Sequence, residues 1–345
     1  MFDQLLKKLE VPILQAPMAG VQDEALAIAV CRAGGLGALP AAMLTEEKLA
    51  AQLLRVRAAT AAPFQVNFFC HQDPVPDEQA QARWQERLRP YHAQLGLAFT
   101  PADSRSARQP FSQSHLDVLK VIPPNVVSFH FGLPPEDLLA ALRTLGVLVL
   151  STAATVEEGC YLAERGVDGI IAQGLEAGGH RGMFLRDDLS GQLDMLSLVR
   201  NLVRVTDVPV IAAGGIVDAE SVRAAMDAGA SAVQAGTAFL CCDEATTSAV
   251  HRAAIAEKPF RRTRITRLFT GRPAQGLINR LMIDLADQEA LAPAFPLAAN
   301  ALAPLRLAAE RTGSPDFSPL WCGTRVDGAR RVPAAEVIRS LAAGL

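Results

Sequence analysis

The chain has little of what would mark a special environment. Its 345 residues include six cysteines, at 31, 70, 160, 241, 242 and 322. None forms a CxxC pair or falls at zinc-ligand spacing with the six histidines. No metal site is therefore expected, and the thiols read as buried and free in a reducing compartment, by default the cytoplasm. No apolar run approaches the roughly 20 residues that span a bilayer, and Met1-Phe-Asp-Gln-Leu-Leu-Lys-Lys-Leu-Glu10 lacks a signal-peptide apolar core. A net charge of −3 argues against a broad nucleic-acid face. The one basic cluster, Arg261, Arg262, Arg264, Arg267 and Arg272, reads as a solvated or salt-bridged local face. Gly34-Gly-Leu-Gly37 lacks the GxGxxG spacing and the acidic residue of a Rossmann unit. Tyrosine is scarce: Tyr91 and Tyr161 are the two present, neither on an obvious site loop.

What is present is a rhythm. Half the residues are apolar, and short β-rich runs alternate with helix-period stretches, the pattern of βαβ units and a parallel sheet. Strands are expected to begin near residues 11, 36, 65, 125, 146, 168, 208 and 231. Eight β/α units in order predict a closed (β/α)8 TIM barrel, with a smaller, mainly helical second lobe. The expected division is a barrel from 1–70 and 114–242, helical segments 71–113 and 243–325 over the active-site end, and 326–345 returning to the barrel as a helix. No strand is expected between Asp243 and Trp321.

Active sites of such barrels sit on the loops that follow the strands. After the seventh strand comes Ala212-Ala-Gly-Gly215-Ile, and after the eighth Gln234-Ala-Gly-Thr237-Ala. Glycine lets backbone amides approach an anion, so this pair of loops is expected to hold a phosphate. After the sixth strand, three glycines flank a histidine in Gln173-Gly-Leu-Glu-Ala-Gly-Gly-His180-Arg-Gly. The backbone can press against a flat ligand there while His180 serves as base, acid or hydrogen-bond donor. His130 ends the fourth strand as either a site residue or a satisfied core histidine. Asn67, an amide in the apolar third strand, must read a ligand edge or tie two strands together. Met18, in Ala16-Pro-Met-Ala-Gly20, can lay a thioether against a ring system.

Together these stretches resemble the nitronate monooxygenase family, once called 2-nitropropane dioxygenases. The resemblance includes Gln15-Ala-Pro-Met-Ala-Gly20, Val66-Asn-Phe-Phe69, Ser128-Phe-His-Phe-Gly132 and Gln173 to Gly182. It continues through Val210 to Ile216, Gln234 to Leu240 and Gly271-Arg-Pro-Ala-Gln-Gly-Leu-Ile-Asn279. It implies FMN held by Asn67, Gln173, Gly178, Gly215, Gln234, Ala235, Gly236 and Thr237. It also implies a catalytic His180, and His130 and Met18 on the substrate side. The implied reaction is oxidation of alkyl nitronates, and possibly of nitroalkanes, by O2 to a carbonyl compound and nitrite. Alternatives in the same superfamily are an FMN-dependent enoyl-[acyl carrier protein] reductase and an NADH:quinone reductase. Two departures bear on the substrate: Thr324 stands where many relatives have glutamine, and a tyrosine-built substrate wall is missing.

Overall fold

The computed structural model describes residues 1–75, 77–99, 108–257 and 262–345. The eight expected strands are all present: β1 Ile13–Gln15, β2 Gly37–Pro40, β3 Phe64–Phe69, β4 Val126–His130, β5 Leu148–Ala153, β6 Gly169–Gln173, β7 Val210–Ala213 and β8 Ala232–Ala235. Each pairs in parallel with its sequence neighbours, and β8 pairs with β1. The ring closes between β1 and β2, where the Gln15 amide donates to Leu36 O at 3.0 Å and the Leu36 amide to Ile13 O at 2.9 Å. The fold is a (β/α)8 TIM barrel.

Helix starts follow local chemistry. Thr45, Thr155, Asp194 and Asp218 each accept a backbone N–H from the first turn of the following helix, a cap that stabilises by about 1 kcal/mol. Helix Met195–Val205 shows the logic from sequence to packing. Its Met195, Leu198, Val199 and Leu202 fall on one face at helical spacing and join the barrel core. Burying each side chain contributes about 1.5–3 kcal/mol. Leu202 packs so closely on helix Val156–Glu164 that a Cβ at Gly159 would lie 2.1 Å from its Cδ2.

A second apolar cluster, separate from the barrel core, gathers Trp84, Leu88, Leu268, Leu281, Leu305 and Phe317. Helices Glu78–Gln94 and Ala298–Arg311 pack together there, and Trp84 Nε1–H donates to Ala298 O at 3.2 Å. The expectation of a strand-free second lobe is corrected. Thr263–Thr266 and Ala274–Leu277 form an antiparallel pair, extended by Gly179–His180 from the loop after β6. Ala274-Gln-Gly-Leu277 carries no β-branched residue, and its second partner lies about a hundred residues away, so no local pattern announces it. Helix Ala334–Ala342 lays Ala334, Val337, Ile338 and Leu341 into the barrel core.

The basic cluster does not form one face. Arg267 pairs with Asp187 at 3.0 Å, as a salt-bridged surface residue would. Arg272 instead turns inward, its guanidinium 4.0 Å from the ring centre of Phe131. Arg261 lies outside the described residues.

Candidate active site

The carboxyl ends of the barrel strands open into a cavity of about 240 Å³, roofed in part by Trp321, Arg306 and Arg108 from outside the barrel. Of the predicted site residues, Met18, Asn67, His130, Gln173, Gly178, His180, Gly215, Gln234, Gly236 and Thr237 all line it. Ala235 does not. Its side chain lies in the barrel core and its carbonyl accepts the Ala16 amide at 2.8 Å, because alternation along β8 turns it away from its neighbours.

One end of the cavity is made of backbone. Gly214 and Gly215 adopt φ of +122° and +70°, a left-handed path that L side chains rarely follow. A Cβ on Gly178 would lie 2.4 Å from the Cys322 carbonyl carbon, so its bareness lets two loops touch. Thr237 Oγ1 accepts the Gly323 amide at 2.8 Å, binding the loop after β8 to the segment after Trp321. Gln234 Oε1 is buried with no partner among the described residues, which a ligand donor in the cavity would satisfy. The Arg325 guanidinium also borders this region and is held by Asp218 at 2.8 Å.

The other end is made of rings. His180 sits 5.3 Å from Phe295, 5.6 Å from Trp321, 6.0 Å from Phe131 and 6.3 Å from Phe69, centre to centre. Phe131 holds φ of +71°, a conformation that costs about 1–3 kcal/mol outside glycine and clusters at functional sites. Tyr91 and Tyr161 lie away from the cavity, against Phe317 and Phe184. Of the rings around His180, Phe69 and Trp321 line the cavity. Thr324 does not line the cavity, and its amide donates to Glu176 O at 3.0 Å.

Hydrogen bonds assign different work to the two site histidines. The His180 carbonyl accepts from Gln173 Nε2 at 2.9 Å and from His130 Nε2 at 3.2 Å. A carbonyl can only accept, so His130 carries its hydrogen on Nε2. Its Nδ1 then accepts from Thr152 Oγ1 at 3.1 Å. Both nitrogens of His130 are consumed in holding the His180 backbone. Gln173 does similar work, since its Oε1 accepts the Gly182 amide at 2.7 Å. Asn67 ties β3 to β4, donating to Ser128 O and Oγ, each at 3.1 Å, while still facing the cavity.

Burial, followed by the nearby Arg108, holds the His180 ring well below the usual histidine pKa. Burial drives His130 down to about 3. Both are therefore neutral near pH 7. Arg181, fully buried, donates from Nη1 to Gly174 O at 2.8 Å and from Nη2 to Ala177 O, which braces the loop carrying His180. Sequence reading singled out neither Arg181 nor Phe131, Arg108, Phe295 and Trp321. Arg181 stood in the glycine-rich stretch and Phe131 beside His130; Arg108, Phe295 and Trp321 come from distant segments.

Comparison with known proteins agrees with this geometry. The family model described as nitronate monooxygenase matches residues 3–344. Over 336 residues the chain is 40% identical to a nitronate monooxygenase of Pseudomonas aeruginosa, covering 96% of this chain and 95% of that protein. It is 38% identical to one from Paraburkholderia phytofirmans, covering 96% and 92%. Among solved structures it resembles a nitroalkane oxidase from Streptomyces ansochromogenes, with TM-score 0.90, 39% identity and coverage of 99% and 97%. The likeness to FabK from Thermotoga maritima is lower, with TM-score 0.74, 25% identity and coverage of 98% and 93%. Matched along nearly its whole length, the chain belongs to the nitronate monooxygenase family.

Proposed function

We propose that this enzyme oxidises alkyl nitronates by O2 to a carbonyl compound and nitrite, using FMN held at the carboxyl end of the barrel. The glycine cradle and the unsatisfied Gln234 Oε1 fit that cofactor. Gly214, Gly215, Gly236 and Thr237 would take the phosphate, and Asn67 and Gln234 would meet polar edges of the ring. The chemistry a bound flavin supplies is the passage of electrons from nitronate to oxygen.

The chain's own residues bind, orient and exclude water. The observation that carries the reading is a neutral His180 in an aromatic box, whose nearby formal charges include Arg108, Arg272 and Arg181. A cavity with that charge balance favours an anionic substrate such as a nitronate. The rings of Phe69 and Trp321, which line the cavity, keep the alkyl part dry. Neutral His180 can remove the α-proton of a neutral nitroalkane, and the imidazolium so formed can hydrogen-bond a nitronate oxygen.

Anaerobic mixing tests the assignment. The flavin-loaded protein should bleach on mixing with ethylnitronate and recover its colour in air with release of nitrite. Bleaching by NADH but not by the nitronate would replace this reading with a reductase. A colourless protein that ignores added FMN would remove the cofactor from the proposal.

A further inference from the structure

We propose that Thr270 fixes the tautomer of His180, placing the ring hydrogen on Nε2 and leaving Nδ1 as the atom that removes the α-proton from a neutral nitroalkane. The inference rests on His180 acting as the base.

Thr270 lies between strands Thr263–Thr266 and Ala274–Leu277 and is buried, with 2% exposure. Its Oγ1 is 2.9 Å from His180 Nε2 and 3.4 Å from the carbonyl oxygen of Arg272. The hydroxyl has a single hydrogen, and the carbonyl can only accept. With the hydroxyl hydrogen directed to Arg272 O, Oγ1 is the acceptor of the hydrogen on His180 Nε2. Nδ1 then holds the lone pair. The hydrogen bonds of His180 among the described residues use its carbonyl and Nε2, and His180 borders the cavity. The Nε2 side of the ring faces Thr270, and the rings of Phe69, Phe131, Phe295 and Trp321 stand around it.

His130 provides the contrast within the site. Its tautomer is also fixed, yet both its nitrogens are occupied, so it has no lone pair to offer. In the step assigned to His180 the substrate α C–H bond breaks and an N–H bond forms at Nδ1. The electron pair stays on the substrate and spreads over both nitro oxygens, giving the nitronate. The imidazolium keeps its Nε2–H on Thr270. A hydroxyl acceptor carries no charge, so it orients the ring without holding the proton there, as a carboxylate would. Thr270 is thus a positioning residue and need not touch substrate.

Two measurements test this. In flavin-loaded protein labelled with ¹⁵N-histidine, the His180 signals, assigned by their loss in His180→Asn, should show hydrogen on Nε2; hydrogen on Nδ1 overturns the proposal. Thr270→Val keeps the shape and removes the acceptor. It should lower kcat for nitroethane by about tenfold or more, leave kcat for ethylnitronate within about threefold, and change neither KM much. Thr270→Ser should restore the nitroethane rate. Unchanged nitroethane turnover in Thr270→Val, or equal loss on both substrates, overturns the assignment. His180→Asn separates the two levels. If it spares neither substrate preferentially, the base reading itself has failed. If it selectively loses nitroethane while Thr270→Val does not, only the tautomer inference has failed.

Discussion

The two ends of the cavity are built by different means. At the Gly215 and Thr237 end the lining is backbone, delivered by loops that directly follow β7 and β8. At the His180 end the lining is side chains from β3, β4, the second lobe and the segment around Trp321, with Phe131 and Phe295 packed behind on the His180 ring. A backbone cradle suits a constant anionic group, since amides cannot change with the substrate. A box of side chains can be altered one ring at a time, which is where substrate choice can vary within one fold.

The largest expected effect breaks the side-chain end alone. His180→Asn should retain its flavin and lose neutral nitroalkane turnover by about 10²–10⁴, the usual worth of a general base. A pre-formed nitronate needs no proton removed and should suffer far less. Because burial holds the His180 pKa well below its ordinary value, the ring is already neutral above pH 6.5. Nitroalkane turnover should therefore rise with pH only on the acid side of neutrality and be flat above it, as far as this group controls it. Steady-state rates on nitroethane and ethylnitronate across pH check both points.

Next in size is a break at the backbone end. Gly215→Asp and Gly215→Ala share the strain of φ +70°, about 1–2 kcal/mol, but only the first adds a carboxylate where amides should face phosphate. Flavin occupancy, read from the absorbance ratio of purified protein, should fall sharply in Gly215→Asp and modestly in Gly215→Ala. Equal occupancy in the two would move the phosphate elsewhere.

Acid should then distinguish the ends without mutation. Burial lowers the pKa of His71 to about 4, of His130 to about 3 and of His251 to about 4, with His115 and His180 shifted in the same direction. A neutral folded histidine that is protonated when unfolded stabilises above pH 6.5, and that contribution falls as pH drops toward the folded pKa. The slope is up to about 1.4 kcal/mol per pH unit for each such group. The melting temperature should fall steadily from pH 6.5 to 5. Since His71, His130 and His180 cluster around Phe131, the side-chain end should loosen first. A melting temperature that is flat over this range would contradict the burial of these rings. The smallest effect belongs to a surface pair: Arg267→Ala, which breaks the ion pair with the largely exposed Asp187, should change stability by less than about 1 kcal/mol.

Several features were legible from local pattern alone. The strands are short apolar runs, several of them bounded by glycine or proline, and Thr45 and Asp218 cap helices where their side chains can reach the first free N–H groups. The glycines at 214, 215 and 178 sit where a Cβ would collide or strain the chain, a constraint that acts at single positions and so leaves a mark in the sequence. His180 stood out because glycines surround it. Within Gln234 to Thr237, strand alternation turns the side chain of Ala235 into the core, which a run of consecutive residues does not announce. In the three-stranded sheet the pairing of residues 179–180 with 274–275 joins distant segments, which needs no periodic pattern in either, and the local pair Thr263–Thr266 with Ala274–Leu277 has only four residues per strand to show one.

By itself, then, the sequence determined the barrel, its order of units and the backbone end of the site, because each depends on periodicity, capping and glycine at positions close together in the chain. Tertiary structure decided the rest. It brought Phe131, Phe295 and Trp321 around His180, turned Arg272 inward, occupied both nitrogens of His130 and set Thr270 on the His180 ring. Those outcomes depend on which side chains meet across the fold and on which atoms are left without a partner once they have met.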